Sequence, residues 1–113
     1  MAGSQIAPRL RRLPRVQMLG FEVALAESFE ARLLGLAWLN RDQVGVGLLI
    51  PRCAGVHTFG MRFALDLVFL DERGASLATY RCVPRRRLVS HRGAASVLEI
   101  PCWEGGEFAP PGT

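Results

Sequence analysis

Apolar and polar positions alternate in short runs along this chain, and Gly, Pro or charge clusters cut each run within about ten residues. Residues 16–19 and 21–25, parted by Gly20, predict two short strands with a turn between them. Residues 46–50 form a continuous apolar strand stopped by Pro51. Residues 65–70 give the strongest strand signal. The turn Asp71-Glu72-Arg73-Gly74 then returns the chain over residues 75–83 as an antiparallel partner, with Gly74 suited to a left-handed position. Residues 88–89 and 96–100 predict two more strands, the second closed by Pro101.

One segment changes period. Phe29, Leu33, Leu36 and Leu39 fall at helical spacing behind Ser28, a good N-cap, and Glu27 and Glu30 sit near the end where the helix dipole favours anions. Gly35 interrupts this pattern at a cost of about 1 kcal/mol relative to Ala. Either the helix is short, or Gly35 is needed for a close backbone approach. The sum is about seven strands and one helix, which argues for a mainly-β domain, an antiparallel sandwich or small barrel with the helix covering an end or edge. The organisation expected is a basic arm over residues 1–15, one mainly-β domain over 16–101 and a Gly/Pro-rich tail over 102–113. In the arm, Pro8 and Pro14 are expected to break regular structure.

Composition narrows the class. The chain has 113 residues, half of them hydrophobic, so it is globular and long enough for one real core. The net charge of +4 is modest, and all 14 basic residues are arginine, which weakens any argument from the choice of Arg at one position. Cys53, Cys82 and Cys102 contain no C-x-x-C pair and are odd in number, so reduced thiols and a cytoplasmic location are expected. No apolar run approaches the ~20 residues of a membrane span, and no secretory signal is expected.

The order Glu30-x-Arg32-x-x-Gly35-Leu36, Gly47-Leu48-Leu49, the block from His57 to Asp71, and Val97-Leu98-Glu99-Ile100-Pro101 resembles the bacterial and archaeal domain of unknown function family 192 over residues 21–101. The resemblance implies a small mainly-β, jelly-roll-like domain and no particular activity. His57-Thr58 stands where many relatives carry Trp-Met, and Ala64 where many carry Pro. The family's usual final turn and strand are not recognisable after Pro101, which leaves open an exposed sheet edge.

Candidate chemistry gathers between residues 56 and 71, where His57, Arg62 and Asp66 interrupt an apolar run. A carboxylate in a core strand must be paired, hydrogen-bonded or open to a cavity. Asp66 is therefore expected to pair with Arg32, the simpler reading being a structural ion pair or a carboxylate that accepts backbone amides. His57 reads as a base, as a metal ligand with Cys53 and either Cys82 or Cys102, or, more simply, as a strand-end histidine bonded to backbone.

The binding surface expected from sequence is His57, Thr58, Arg62 and Asp66 with Arg32 beneath. It is suited to a small anionic ligand, with no cofactor or metal required and with binding favoured over catalysis. Two other classes stay open: a small hydrolase or lyase using His57 and Asp66 as an acid–base pair, and a module that docks a protein or forms a weak homodimer through an open strand edge. No nucleotide motif is present, and no aromatic interleaves along the chain with Arg9, Arg11, Arg12 and Arg15 or with Arg85, Arg86 and Arg87, so nucleic acid is not expected. Ser90-His91 are sequence neighbours only and make no triad. Trp38 is expected to pack on the core, and Trp103 either to pack back or to dock a partner.

Overall fold

A computed structural model describes residues 6–102. Trp103 and most of the expected tail lie outside these residues, as do residues 1–5 of the arm.

Eight strands are described: β1 Arg15–Met18, β2 Phe21–Leu25, β3 Leu48–Pro51, β4 Gly55–His57, β5 Leu65–Leu70, β6 Ser76–Val83, β7 Leu88–Ser90 and β8 Ser96–Pro101. Six of them form one sheet in the order β1-β2-β3-β8-β5-β6, and β4 and β7 form a second, two-stranded sheet. All pairs are antiparallel except β2 with β3. The fold is mainly β, as the alternation predicts, an open sandwich-like arrangement and not a closed barrel.

Two helices accompany the sheets, α1 Pro8–Arg11 and α2 Phe29–Leu34. The sequence predicts only the second. Pro8 does not break structure; it starts α1, because proline at the first helical position sacrifices no hydrogen bond and has its φ already set. Ala7 and Leu10 are buried in the main core, so this part of the basic arm packs on the domain. Helix α2 is capped as expected, the Ser28 hydroxyl accepting the Ala31 N–H at 3.0 Å. It ends at Gly35, whose φ of +53° leaves the helical region.

The main core lies on the face of the large sheet that carries Leu65, Leu67, Phe69 and Val97, under Leu10, Leu36 and Met61. Leu49, Val68, Leu70 and Leu98 face the other way, against Val23. That split follows from period-2 alternation in β5 and β8. His91 and Tyr80 belong to the first face, with the His91 ring 5.9 Å from that of Phe69 and 6.3 Å from that of Tyr80.

The cysteine expectation needs correcting. Cys82 and Cys102 form a disulfide, with Cα atoms 5.0 Å apart, and only Cys53 remains a thiol among the described residues. β5 pairs with both β6 and β8, which brings the end of β6 and the residue following β8 to one end of the sheet. Sequence spacing of 20 residues gives no hint of this.

Candidate functional site

Glu99 is the chemically unusual residue of this fold. It sits in β8 between Leu48 of β3 and Leu67 of β5, so alternation turns it toward the main core. It is 2% exposed. Two glycines make room for it. A Cβ on Gly35 would come within 2.8 Å of Glu99 Oε1, and a Cβ on Gly47 within 2.6 Å of the Glu99 carbonyl oxygen. Both readings of Gly35 therefore hold: the helix is short, and the backbone approaches closely.

The Leu36 amide hydrogen-bonds the Glu99 carboxyl and favours its charged form. Burial acts the other way and wins, pushing the pKa up to about 8. Glu99 is thus largely a neutral carboxylic acid at pH 7, able to donate as well as accept. Its Oε1 has no hydrogen-bond partner among the described residues.

A cleft of about 140 Å³ opens onto this carboxyl, lined by Arg32, Gly35, Cys53, Val56, His57 and Glu99. Helix α2 supplies Arg32, whose Nη2 donates to the Arg52 carbonyl at 2.7 Å while its buried Nε has no partner among the described residues. Strand β4 supplies His57, whose buried Nδ1 likewise has no partner among the described residues. The Cys53 thiol donates to the Gly55 carbonyl at 3.0 Å. Among the described residues, three buried, unsatisfied polar atoms thus belong to side chains, from three separate elements, that line one small cleft. Each would cost about 1–3 kcal/mol if nothing ever met it.

Of the residues singled out in the sequence, His57 and Arg32 come together here and the others do not. Asp66 does not pair with Arg32. Alternation puts it on the far face of β5 from Leu67 and Glu99, where its Oδ2 lies 3.2 Å from Arg81 Nε. Its Oδ1 accepts the Cys82 N–H at 2.7 Å. A bulge places Arg81 and Cys82 opposite Asp66 and frees that amide from the ladder, so the carboxylate takes the place of the missing strand partner. The proposed His57/Asp66 acid–base pair fails for the same reason: the large sheet separates them.

Thr58 is 1% exposed and structural in its bonding, its hydroxyl accepting from Arg87 N–H and donating to the Pro84 carbonyl, both at 2.8 Å. Arg62 is exposed and donates to Asn40 Oδ1 at 2.9 Å. The metal set that combined Cys53 and His57 with Cys82 or Cys102 also fails, since the latter two sulfurs are bonded to each other. Among the described residues, the one close group of possible ligands is Asp66 with these same two cysteines.

Sequence reasoning missed Glu99, because one acid in Val97-Leu98-Glu99-Ile100 reads as a strand's solvent-facing position. The available signal was a pair of glycines, Gly35 and Gly47, each at a point where the chain must pass something closely.

Two solved structures share the fold. A candidate transcription regulator from Sinorhizobium meliloti 1021 is 20% identical with a TM-score of 0.60, the alignment covering 78% of each chain. A protein of unknown function from Novosphingobium aromaticivorans DSM 12444 is 17% identical with a TM-score of 0.58, covering 78% of this chain and 71% of that one. No curated protein matches the chain. The model of the uncharacterised family DUF192, described as Uncharacterized ACR, matches residues 13–108, nearly the whole length, and the chain belongs to that family.

Proposed function

We propose that this domain binds a small polar ligand, or the polar end of a larger one, in the Glu99 cleft. The observation that carries the reading is that three side chains lining one cavity, Glu99, Arg32 and His57, each hold a buried polar atom with no partner among the described residues. A volume of about 140 Å³ is well below the roughly 300 Å³ at which ordinary ligand pockets begin, so the group bound is small. Arg32 offers a cationic donor, and Glu99 as a neutral acid offers a second donor. A carboxylate presents two acceptor oxygens to such a pair, and a short-chain carboxylate is the ligand class of choice.

Calorimetric titration with formate, acetate and propionate tests this. Saturable binding that Glu99→Gln and Arg32→Gln each weaken is the expected result. Absence of heat with all three acids would remove the reading.

One observation favours a second reading. A buried acid with a raised pKa beside a histidine is the environment in which general acids are found. In that reading Glu99, not Asp66, partners His57 in a small hydrolase or lyase. Turnover of an ester or hydroxy-acid panel, abolished in Glu99→Gln, would support it, and inactivity across the panel would not.

The disulfide bears on location. Such bonds persist in oxidising compartments and are rare in the cytosol, so it favours an exported protein over the cytoplasmic one expected from the cysteine count. No helix among the described residues is long and apolar enough to cross a membrane.

A further inference from the structure

Trp38 does not pack into the core. It is 62% exposed, and its backbone is held in a left-handed conformation, φ +68°, with its N–H donating to the Gly60 carbonyl at 2.8 Å. The indole lies so close to Gly60 that a Cβ there would stand 3.1 Å from Cε2 and Cζ2. Gly60 itself has a φ of +82°, so both the conformation and the contact disfavour a side chain there. The ring is thus fixed from one side by backbone while much of its surface remains open.

A cleft of about 360 Å³ adjoins it, lined by Trp38, Gly60, Met61, Arg62, Arg85 and Arg86. Among the described residues, no carboxylate lines this cleft. The one ion pair among the described residues is Arg81–Asp66, so none of the three guanidiniums here is paired with a described acid. Arg62 is oriented by its bond to Asn40.

The arginine loop is anchored as well. Thr58 binds it through four hydrogen bonds: its hydroxyl to Arg87 N–H and the Pro84 carbonyl, its N–H to the Arg87 carbonyl at 2.8 Å, and its carbonyl to Arg86 N–H at 3.3 Å. Arg86 adopts φ +65° within this frame. What the sequence separates, an aromatic platform and a basic run, the fold places side by side.

We propose that this second cleft binds a nucleoside phosphate, its base stacked on Trp38 and its phosphate oxygens held by Arg62, Arg85 and Arg86. An exposed indole offers a flat apolar face to any base, and guanidiniums match phosphate oxygens by shape as well as charge. The cleft falls within the usual range for small-molecule sites. The same chemistry serves a free nucleotide or one unit of a single strand. The proposal stands apart from the Glu99 cleft, with which it shares no lining residue.

The test is calorimetry on the full chain at low salt with adenosine monophosphate, a short oligothymidylate, inorganic phosphate and adenosine. The nucleotide or the oligomer is expected to bind at least about fivefold more tightly than phosphate or adenosine. Trp38→Ala and the double variant Arg85→Gln/Arg86→Gln should each weaken that binding about fivefold or more while melting as the parent does. If either melts differently, Arg62→Gln takes its place. Tighter binding of the oligomer per nucleotide assigns the source to a strand, and preference for the monophosphate to a free nucleotide. Absence of binding by both, phosphate binding as tight as that of the nucleotide, or binding indifferent to the substitutions would overturn the proposal.

Discussion

Gly35 and Glu99 are in contact across the end of α2: the glycine's missing side chain is the space that a carboxyl oxygen of Glu99 occupies. The same glycine ends α2 with a positive φ, and the next residue, Leu36, supplies the amide that binds the carboxyl. Gly35→Ala therefore meets both a steric block and a disfavoured backbone. The expected loss of stability is roughly 2–4 kcal/mol, measured by urea denaturation. A loss well under 1 kcal/mol would mean that the carboxyl moves aside freely.

Glu99 makes stability depend on pH in a stated direction. Its folded pKa of about 8 lies above its ordinary value of 4.5, so the folded state holds a proton that the unfolded state has lost between those values. The native state is favoured at the acid side of this window, and stability falls as pH rises through it, by at most about 1.4 kcal/mol per pH unit. Above the folded pKa this contribution becomes flat. Glu99→Gln removes the titration, so the variant should gain on the parent steadily from pH 5 to pH 8. Parallel curves from denaturation at several pH values would contradict the assignment.

Asp66 and Arg81 should respond unequally to deletion. Arg81 is 52% exposed at the side chain, and its loss should cost only about 0–1 kcal/mol. Asp66→Ala strands the Cys82 N–H at the bulge and should cost about 1–3 kcal/mol. Thermal melts of the two variants provide the comparison. Neither substitution should alter ligand binding at the Glu99 cleft, which lies on the other side of the sheet.

Reduction of the Cys82–Cys102 bond should lower stability by about 2–4 kcal/mol, the usual effect of opening a closed loop of this length. A urea midpoint that falls with dithiothreitol in the parent but not in the double variant Cys82→Ser/Cys102→Ser is the expected pattern. A thiol titration finding three free cysteines in the protein as isolated from an oxidising compartment would contradict it.

Much of the scaffold could be read along the chain, because strands and turns are set by neighbours. The alternation of residues 65–70 and the Gly74 turn specified a hairpin, and Ser28 marked where α2 begins. The site was only half legible. His57 stood out as a polar group in an apolar run and Arg32 as the partner expected for Asp66, and these two line one cleft. Asp66 stood out, like His57, in an apolar run and turned the other way, because the face a strand shows its core depends on pairing partners far along the chain. Glu99 was hidden by the opposite effect: it looks like a surface residue until β3 and β5 flank its strand. Trp38 was misjudged because what its ring packs against is Gly60, more than twenty residues away in sequence.

The placement of β8 between β3 and β5 carries a consequence for how the molecule is made. A ribosome delivers β1 to β7 before the strand that joins the two halves of the large sheet. Until residues 96–101 emerge, β3 and β5 each present a bare edge, and the Arg32–His57 cleft lacks its acid. Nascent chains halted before that point should bind general chaperones through those edges, and the cleft would be completed only once this central strand inserts.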